Sequence, residues 1–174
     1  MQESLGLHTV VPLESQGDAA DENKYIIFAL GEEYYGAKLL EVREVVEFLP
    51  TKSVPNTVPS FQGVCNLRGQ IIGVVDLRIR FSIDAPKATR SVLLVFDTES
   101  GAIASSVDQI ASVSVILPND VEWRPNIVSS IPSKYIIGIG KLDQKMITII
   151  DLKAVLSHDE LTNIERSKML VKEA

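Results

Sequence analysis

The side chains able to act as nucleophiles, bases or metal ligands are few. There is one cysteine, Cys65, and two histidines, His8 and His158. A pair of aspartates, Asp76 and Asp151, each precede a leucine and a basic residue. A thiol becomes a nucleophile when a base stands within hydrogen-bond reach. No histidine is near Cys65 in sequence, and its place after Val64 suits a buried small residue. One cysteine cannot build a cysteine-based zinc cage. Two carboxylates could work as an acid and a base. Aspartate just before a short helical turn is more simply an N-cap, and both aspartates have that setting. No HExxH, Walker A loop or GxGxxG is present. The chain therefore reads as a protein without catalytic residues, cofactor or metal.

Composition points the same way. The chain has 174 residues, 45% of them hydrophobic, enough for a sizeable core. Ile and Val number 37, against five Phe, four Tyr and one Trp, a balance that favours strands of branched aliphatics. A net charge of −6 makes nucleic acid a poor partner, because phosphate backbones call for clustered Lys and Arg. No apolar run approaches the ~18 residues that a spanning helix needs, and the N-terminus lacks the basic and apolar blocks of a signal peptide. The expectation is a cytoplasmic protein that does not insert into a membrane.

The elements that would position any site come from an internal repeat. Phe61–Leu77 overlays Ile136–Leu152 at a shift of 75 with no gap. Five of the seventeen pairs are identical: Gly63/Gly138, Leu67/Leu142, Ile72/Ile147, Asp76/Asp151 and Leu77/Leu152. Unrelated sequence would give about one. Tyr25–Pro50 overlays Leu93–Pro118 at a shift of 68, so seven extra residues lie between Pro118 and Ile136. Each copy reads as strand, hairpin, strand, loop, strand, tight turn and strand, ending in a helical turn. Short strands with one buried face close most readily into small barrels, which removes exposed edges. The prediction is an all-β fold of two five-stranded barrels related by the repeat, sharing a hydrophobic seam. Residues 1–23 read as a flexible tail, although Leu5, Leu7, Val10, Val11 and Leu13 could dock as a short strand. Residues 24–158 form the domain, with a first barrel unit at about 24–82 and a second at about 91–156, joined at 82–90. Residues 157–174 read as an amphipathic helix. It starts with the capping box Ser157-His-Asp-Glu160, and Leu161, Ile164 and Val171 share one face.

The repeat also singles out charges that the fold does not need. Arg68 stands in the turn Asn66-Leu-Arg-Gly69, where Gly69 suits a positive φ; its mirror is Asp143. Glu44 lies in an alternating strand, and its mirror is Ser112. The plain reading of Glu44 is a solvent-facing strand position, and that of Arg68 a solvated turn. The functional reading is contact with another chain, for which arginine is well suited. Trp123, in the expanded loop, reads either as a partner anchor or as a plug for the second barrel.

Several segments together resemble one family. They are Tyr25–Gly36, Val42-Arg-Glu-Val-Val46, Phe61-Gln-Gly-Val-Cys-Asn-Leu-Arg-Gly69 and Val74-Val-Asp-Leu-Arg-Ile-Arg-Phe81, with Tyr135–Leu142 and Ile149–Leu152. From about Lys24 to Leu156 the chain resembles the CheW chemotaxis adaptors. The resemblance implies two intertwined five-stranded SH3-like barrels. It implies a non-enzymatic scaffold that couples methyl-accepting chemoreceptor tips to the regulatory domain of a CheA-type histidine kinase and is recruited to receptor arrays. The positions that match the family's partner-binding residues are Val42, Glu44, Gly63, Arg68 and Val92. Two features depart from the family's usual pattern. Gly73 stands where proline is usual and is expected to loosen its strand, and Ala104-Ser-Ser-Val107 is more polar than usual. The alternatives are a regulatory or small-molecule-binding double barrel not engaged in kinase coupling.

Overall fold

The computed structural model describes residues 11–12, 21–84, 91–126, 129 and 131–172. Its elements in chain order are β1 (Val11–Pro12), β2 (Lys24–Leu30), β3 (Glu33–Lys38), β4 (Glu44–Glu47), β5 (Phe61–Leu67), β6 (Gln70–Asp76) and the short helix α1 (Leu77–Arg80). The second half holds β7 (Val92–Thr98), β8 (Gly101–Val107), β9 (Gln109–Val115), β10 (Val121–Trp123), β11 (Ile136–Leu142), β12 (Lys145–Ile150) and the helix α2 (His158–Lys172). Strand bounds follow the repeat. β2 and β7 match end to end at a shift of 68, and β5 and β11 at 75. Most of the 1–23 and 82–90 segments lies outside the described residues, as do Leu5, Leu7, Val10 and Leu13. Val11, with Pro12, does form a strand, paired antiparallel on the edge of β4.

The repeat in sequence is not the barrel in space. One sheet has the order β1-β4-β7-β8-β6-β5, the other β10-β11-β12-β3-β2-β9. The hairpin β2-β3 of the first copy therefore belongs to the second copy's barrel, and β7-β8 belongs to the first copy's. The units at about 24–82 and 91–156 exchange hairpins through the parallel pairs β6–β8 and β12–β3. Each five-strand set, with one short added strand, curls into an SH3-like barrel. Beyond β4 the chain brings Lys52 against Val64 of β5, and beyond β9 it brings Glu122 of β10 against Ile139 of β11. These crossings are why Gly63 and Gly138 are identical in the repeat. A Cβ on Gly63, whose φ is +138°, would stand 2.2 Å from the Lys52 carbonyl oxygen. One on Gly138 would stand 2.8 Å from that of Glu122.

Exchange leaves the central strands without a solvent face, which accounts for their unbroken apolar sequence. Along β2, Tyr25 and Ile27 fill the second barrel, while Ile26, Phe28 and Leu30 face the seam between barrels. Along β7, Leu93 and Val95 fill the first barrel, and Leu94 and Phe96 face the seam. Each copy ends in the capped turn that the aspartates predict. Asp76 accepts from the backbone N–H groups of Arg78 and Ile79, and Asp151 from those of Lys153 and Ala154. The first cap directs Phe81 into the seam between Tyr35 and Tyr135.

The C-terminal helix α2 is built onto the first barrel. Its capping box is formed: Ser157 Oγ accepts from the Glu160 N–H, and Glu160 accepts from the Ser157 N–H. Leu161 and Ile164 are buried in the seam core, each worth about 1.5–3 kcal/mol, with Val171 packed against it. Glu160 takes two hydrogen bonds from the Arg80 guanidinium, at 2.7 and 2.9 Å. Gly73 has a different role from loosening β6. A Cβ there would meet Ile164 Cγ2 at 2.7 Å and the Phe61 ring at 3.0 Å, so the bare backbone is the seat of the helix. The polar stretch of β8 is interior, with Ser105 and Ser106 both buried.

Two tests follow from this packing. Gly73→Ala should cost about 1–3 kcal/mol in urea unfolding, as overpacking does, and Ile164→Ala in the same chain should relieve part of the clash in a double-mutant cycle. The second concerns pH. Burial by itself raises the Glu160 carboxyl, but the hydrogen bonds from Arg80 and Ser157 and the Arg80 charge outweigh it and hold the group below the ordinary value of 4.5. A depressed folded-state value gives stability that is complete above the unfolded-state value and is lost as pH falls through the folded one. The stability gap between the wild-type chain and Glu160→Gln should be full at pH 7 and close only as pH falls below the ordinary carboxylate value of 4.5.

Candidate partner-binding site

The β5–β6 turn is shaped to project Arg68. Arg68 and Gly69 both have positive φ, 49° and 87°, the pair of left-handed residues that a tight hairpin needs. Asn66 Oδ1 accepts the Gly69 N–H at 2.7 Å and braces the turn. The mirror turn repeats the backbone with Asp143 and Gln144, at 49° and 65°. The same scaffold thus presents a cation on one barrel and an anion on the other.

Arg68 reaches from this turn to Glu44 on β4, its Nη2 donating to Glu44 Oε2. β4 and β5 lie at opposite ends of the five-strand order, so the pair closes the mouth of the first barrel. The solvent-facing position expected for Glu44 is not what forms. Glu44 shares its strand face with Val46, which fills the barrel interior, and its side chain is only 6% exposed. The cause is exchange: β4 pairs with β7 of the other copy, which places Glu44 opposite Val95, another interior residue. The second oxygen, Oε1, is buried with no hydrogen-bond donor among the described residues. Arg68, in contrast, is 56% exposed. The pair thus joins a buried anion to a cation whose outer edge faces solvent.

The other predicted positions divide by burial. Val42 is buried in the seam core. Gly63 is buried under the Lys52 crossing, five residues from the Arg68 turn. Val92 is half-buried at the start of β7, opposite Glu47, and packs on the seam. Of the five, Glu44 and Arg68 touch each other, and Arg68 alone is largely open to another chain. Cys65 is buried in the first barrel, and burial pushes its thiol up, away from thiolate chemistry. Trp123 does not plug the second barrel: it is 46% exposed, and Val121, two residues earlier, fills the interior instead.

The second barrel's mouth lacks the pair. Ser112 and Asp143, the mirrors of Glu44 and Arg68, border an open cleft of about 450 Å³ whose apolar walls include Ile27, Tyr34, Ile110, Leu142 and Ile147. Beside it runs β9, the outer strand of its sheet, with Val113 and Val115 about half exposed. Residues 109–117 carry no charge. Sequence reading did not find this surface. Its signal is the run of nine uncharged residues whose mirror, 41–49, carries four charges (Glu41, Arg43, Glu44 and Glu47).

Removing Arg68 leaves the Glu44 carboxylate buried and alone. Arg68→Met should cost about 1–2 kcal/mol in urea unfolding, modest because one partner is half in solvent. Glu44→Gln should cost less, and the double variant less than the sum of the two, giving a coupling of about 1 kcal/mol in a double-mutant cycle.

Comparison with known proteins agrees with this architecture. Residues 24–160 match the family described as the CheW-like domain. The chemotaxis protein CheW of Klebsiella aerogenes is 27% identical over 161 residues, spanning 92% of this chain and 95% of that protein. That of Bacillus subtilis is 29% identical over 140 residues, 78% of this chain and 88% of its own. The crystal structure of the scaffolding protein TtCheW from Thermoanaerobacter tengcongensis superposes with a TM-score of 0.73 at 32% identity, covering 80% of this chain and 90% of that one. These are chemotaxis scaffolds and adaptors, not enzymes. Among the described residues no helix is long and apolar enough to cross a membrane. With a doubled barrel in space and the family's residues running from one end of it to the other, this chain belongs to the CheW-like family.

Proposed function

We propose that this chain is a cytoplasmic adaptor that couples methyl-accepting chemoreceptors to a CheA-type histidine kinase and helps to control its autophosphorylation. The observation that carries the reading is the Arg68–Glu44 pair. The duplicated fold does not need it, since the mirror residues are Asp143 and Ser112, yet it fixes a half-exposed guanidinium at one barrel mouth. Such a group, with one edge held by a buried carboxylate, is oriented before any partner arrives, which lowers the entropic cost of binding. Of the five candidate residues, Arg68 makes direct contact with a partner. Glu44 holds Arg68, and Gly63 holds the crossing beside β5. Val42 and Val92 set how β4 and β7 lie on the seam.

The uncharged β9 edge, with Val113 and Val115 half exposed, supplies an apolar surface on the opposite barrel, and the cleft beside it has Asp143 and Lys145 at its border. A receptor tip is a helical hairpin, and a helix lays apolar side chains into a groove while charges at the rim set its direction. The regulatory domain of the kinase, itself a double barrel by family resemblance, meets barrel ends. With different surfaces on its two barrels, one adaptor holds two partners at once, head to tail.

The test is binding of the full chain to the kinase regulatory domain and to a receptor signalling fragment from the same genome. Wild-type chain should bind at micromolar affinity or tighter. Arg68→Glu should weaken at least one partner by about tenfold or more while keeping a cooperative thermal transition. Unchanged affinity of that variant for both partners would remove Arg68 from the site, and failure of the wild-type chain to bind either would overturn the adaptor reading.

A further inference from the structure

The family match ends at residue 160, and α2 continues to Lys172. Those last residues are not a loose extension. Ile164 sits on the bare backbone of Gly73, and Lys168, nine-tenths buried, donates its Nζ to the Ala102 carbonyl and to Glu165. The far half of the helix is thereby held against the β7–β8 and β5–β6 turns, at the same end of the barrel as Arg68. Between helix and turns lies an open cleft of about 620 Å³. Arg68, Lys168 and Lys172 bring three cations to its lining and Glu165 one anion. With the Glu44 carboxylate that holds Arg68 counted as well, one positive charge remains in excess, on a chain whose net charge is −6.

These cations differ in availability. Lys168 is buried and paired with Glu165. Arg68 gives one N–H group to Glu44, and its side chain, 56% exposed, lines the cleft with donors to spare. Lys172 is exposed, with no charged partner among the described residues. Met169, 65% exposed, stands between Lys168 and Lys172 and adds an apolar spot next to the half-buried Ile71. Methionine on an open surface adapts to the shape of an incoming side chain. A positive cleft on an acidic protein steers anionic partners toward it and repels other acidic surfaces less than its surroundings do.

We infer that α2 extends the Arg68 surface into a docking cleft for a short acidic segment of a protein partner. Carboxylates of that segment meet Arg68 and Lys172, and one apolar side chain lies over Met169. In assigning the partner to the signalling assembly, the inference rests on the adaptor reading above. The existence of the cleft as an anion-binding surface does not.

The experiment has two arms. In the first, the isotope-labelled full chain is titrated with a twelve-residue peptide of alternating Glu and Leu and followed by NMR. Saturable shifts of the Gly69, Gly101 and Lys172 amides are expected, weakening as salt rises and lost in Lys172→Glu. No shifts, or shifts confined to other surfaces, overturn the inference. In the second, the kinase regulatory domain and the receptor fragment are each bound to wild-type chain, Lys172→Glu and the control Lys153→Glu, an exposed position in neither cleft. Lys172→Glu should lose about tenfold against one partner, with a flatter salt dependence, and Lys153→Glu should lose none of that partner's affinity. Equal binding by wild-type and Lys172→Glu overturns the assignment. If the wild-type chain binds neither domain, the adaptor reading fails, and the peptide arm alone decides whether the cleft takes acidic segments.

Discussion

The central strands of this protein have no side that faces water. β2 and β7 each fill a barrel with one row of side chains and the seam between barrels with the other. This double burial follows from exchanging hairpins. Each copy places its first hairpin in the partner copy's sheet, so both sheets contain chain from both halves. Neither copy can then be removed without stripping strands from both barrels. A copy of about 60 residues has little core of its own. Exchange gives the pair one continuous core, in which Phe28, Tyr35, Phe81 and Tyr135 form a chain of ring contacts about 6 Å apart.

A duplicated scaffold separates what the fold requires from what it merely permits. Positions that stayed the same have structural reasons in both halves: the crossing glycines Gly63 and Gly138, and the capping aspartates Asp76 and Asp151. Positions that diverged at matching places are free to serve partners. The two barrel mouths are the clearest case. One is closed by an arginine on a buried glutamate, while the other is an open cleft of mixed lining bordered by Ser112, Asp143 and Lys145. A single geometry thus gives two recognition surfaces of different chemistry, which suits a molecule that must tell two partners apart.

Much of this was legible in the sequence because the repeat fixes elements twice over. The shifts of 68 and 75 carry strand ends from one copy to the other, and the capping box and aspartate caps follow local rules that operate without tertiary context. What was not legible has one common cause. Alternation says which side chains share a face of a strand, but not which of two near-identical copies that strand pairs with. The pattern of residues therefore hid which hairpins are exchanged, although the resemblance implied intertwined barrels, and with that it hid the burial of Glu44, which pairs opposite the interior residue Val95 of β7. Gly73 was misjudged for a similar reason. A glycine in a strand reads as local weakness, and its purpose appears only once Ile164, ninety-one residues later, arrives on top of it. For Trp123, the apolar side chain needed inside the second barrel was already supplied by Val121, which left the tryptophan outside.

The C-terminal helix ties these points to energetics. Its anchors are Leu161 and Ile164 in the seam, Glu160 on Arg80, and Lys168 on Ala102. Arg80 lies in the turn that Asp76 caps, and Gly73 lies in β6, the strand that leaves the Arg68 turn. A displacement of α2 must therefore act on β6 at one end and on the α1 turn at the other. Close-packed cores resist small continuous shifts and respond by discrete rearrangement. The free energy that holds the helix down is in this way coupled to the orientation of the hairpin bearing Arg68, with Glu44 as its fixed point on the far side of the barrel. A helix that begins inside the family match and runs past its end is thus part of the frame that aims Arg68.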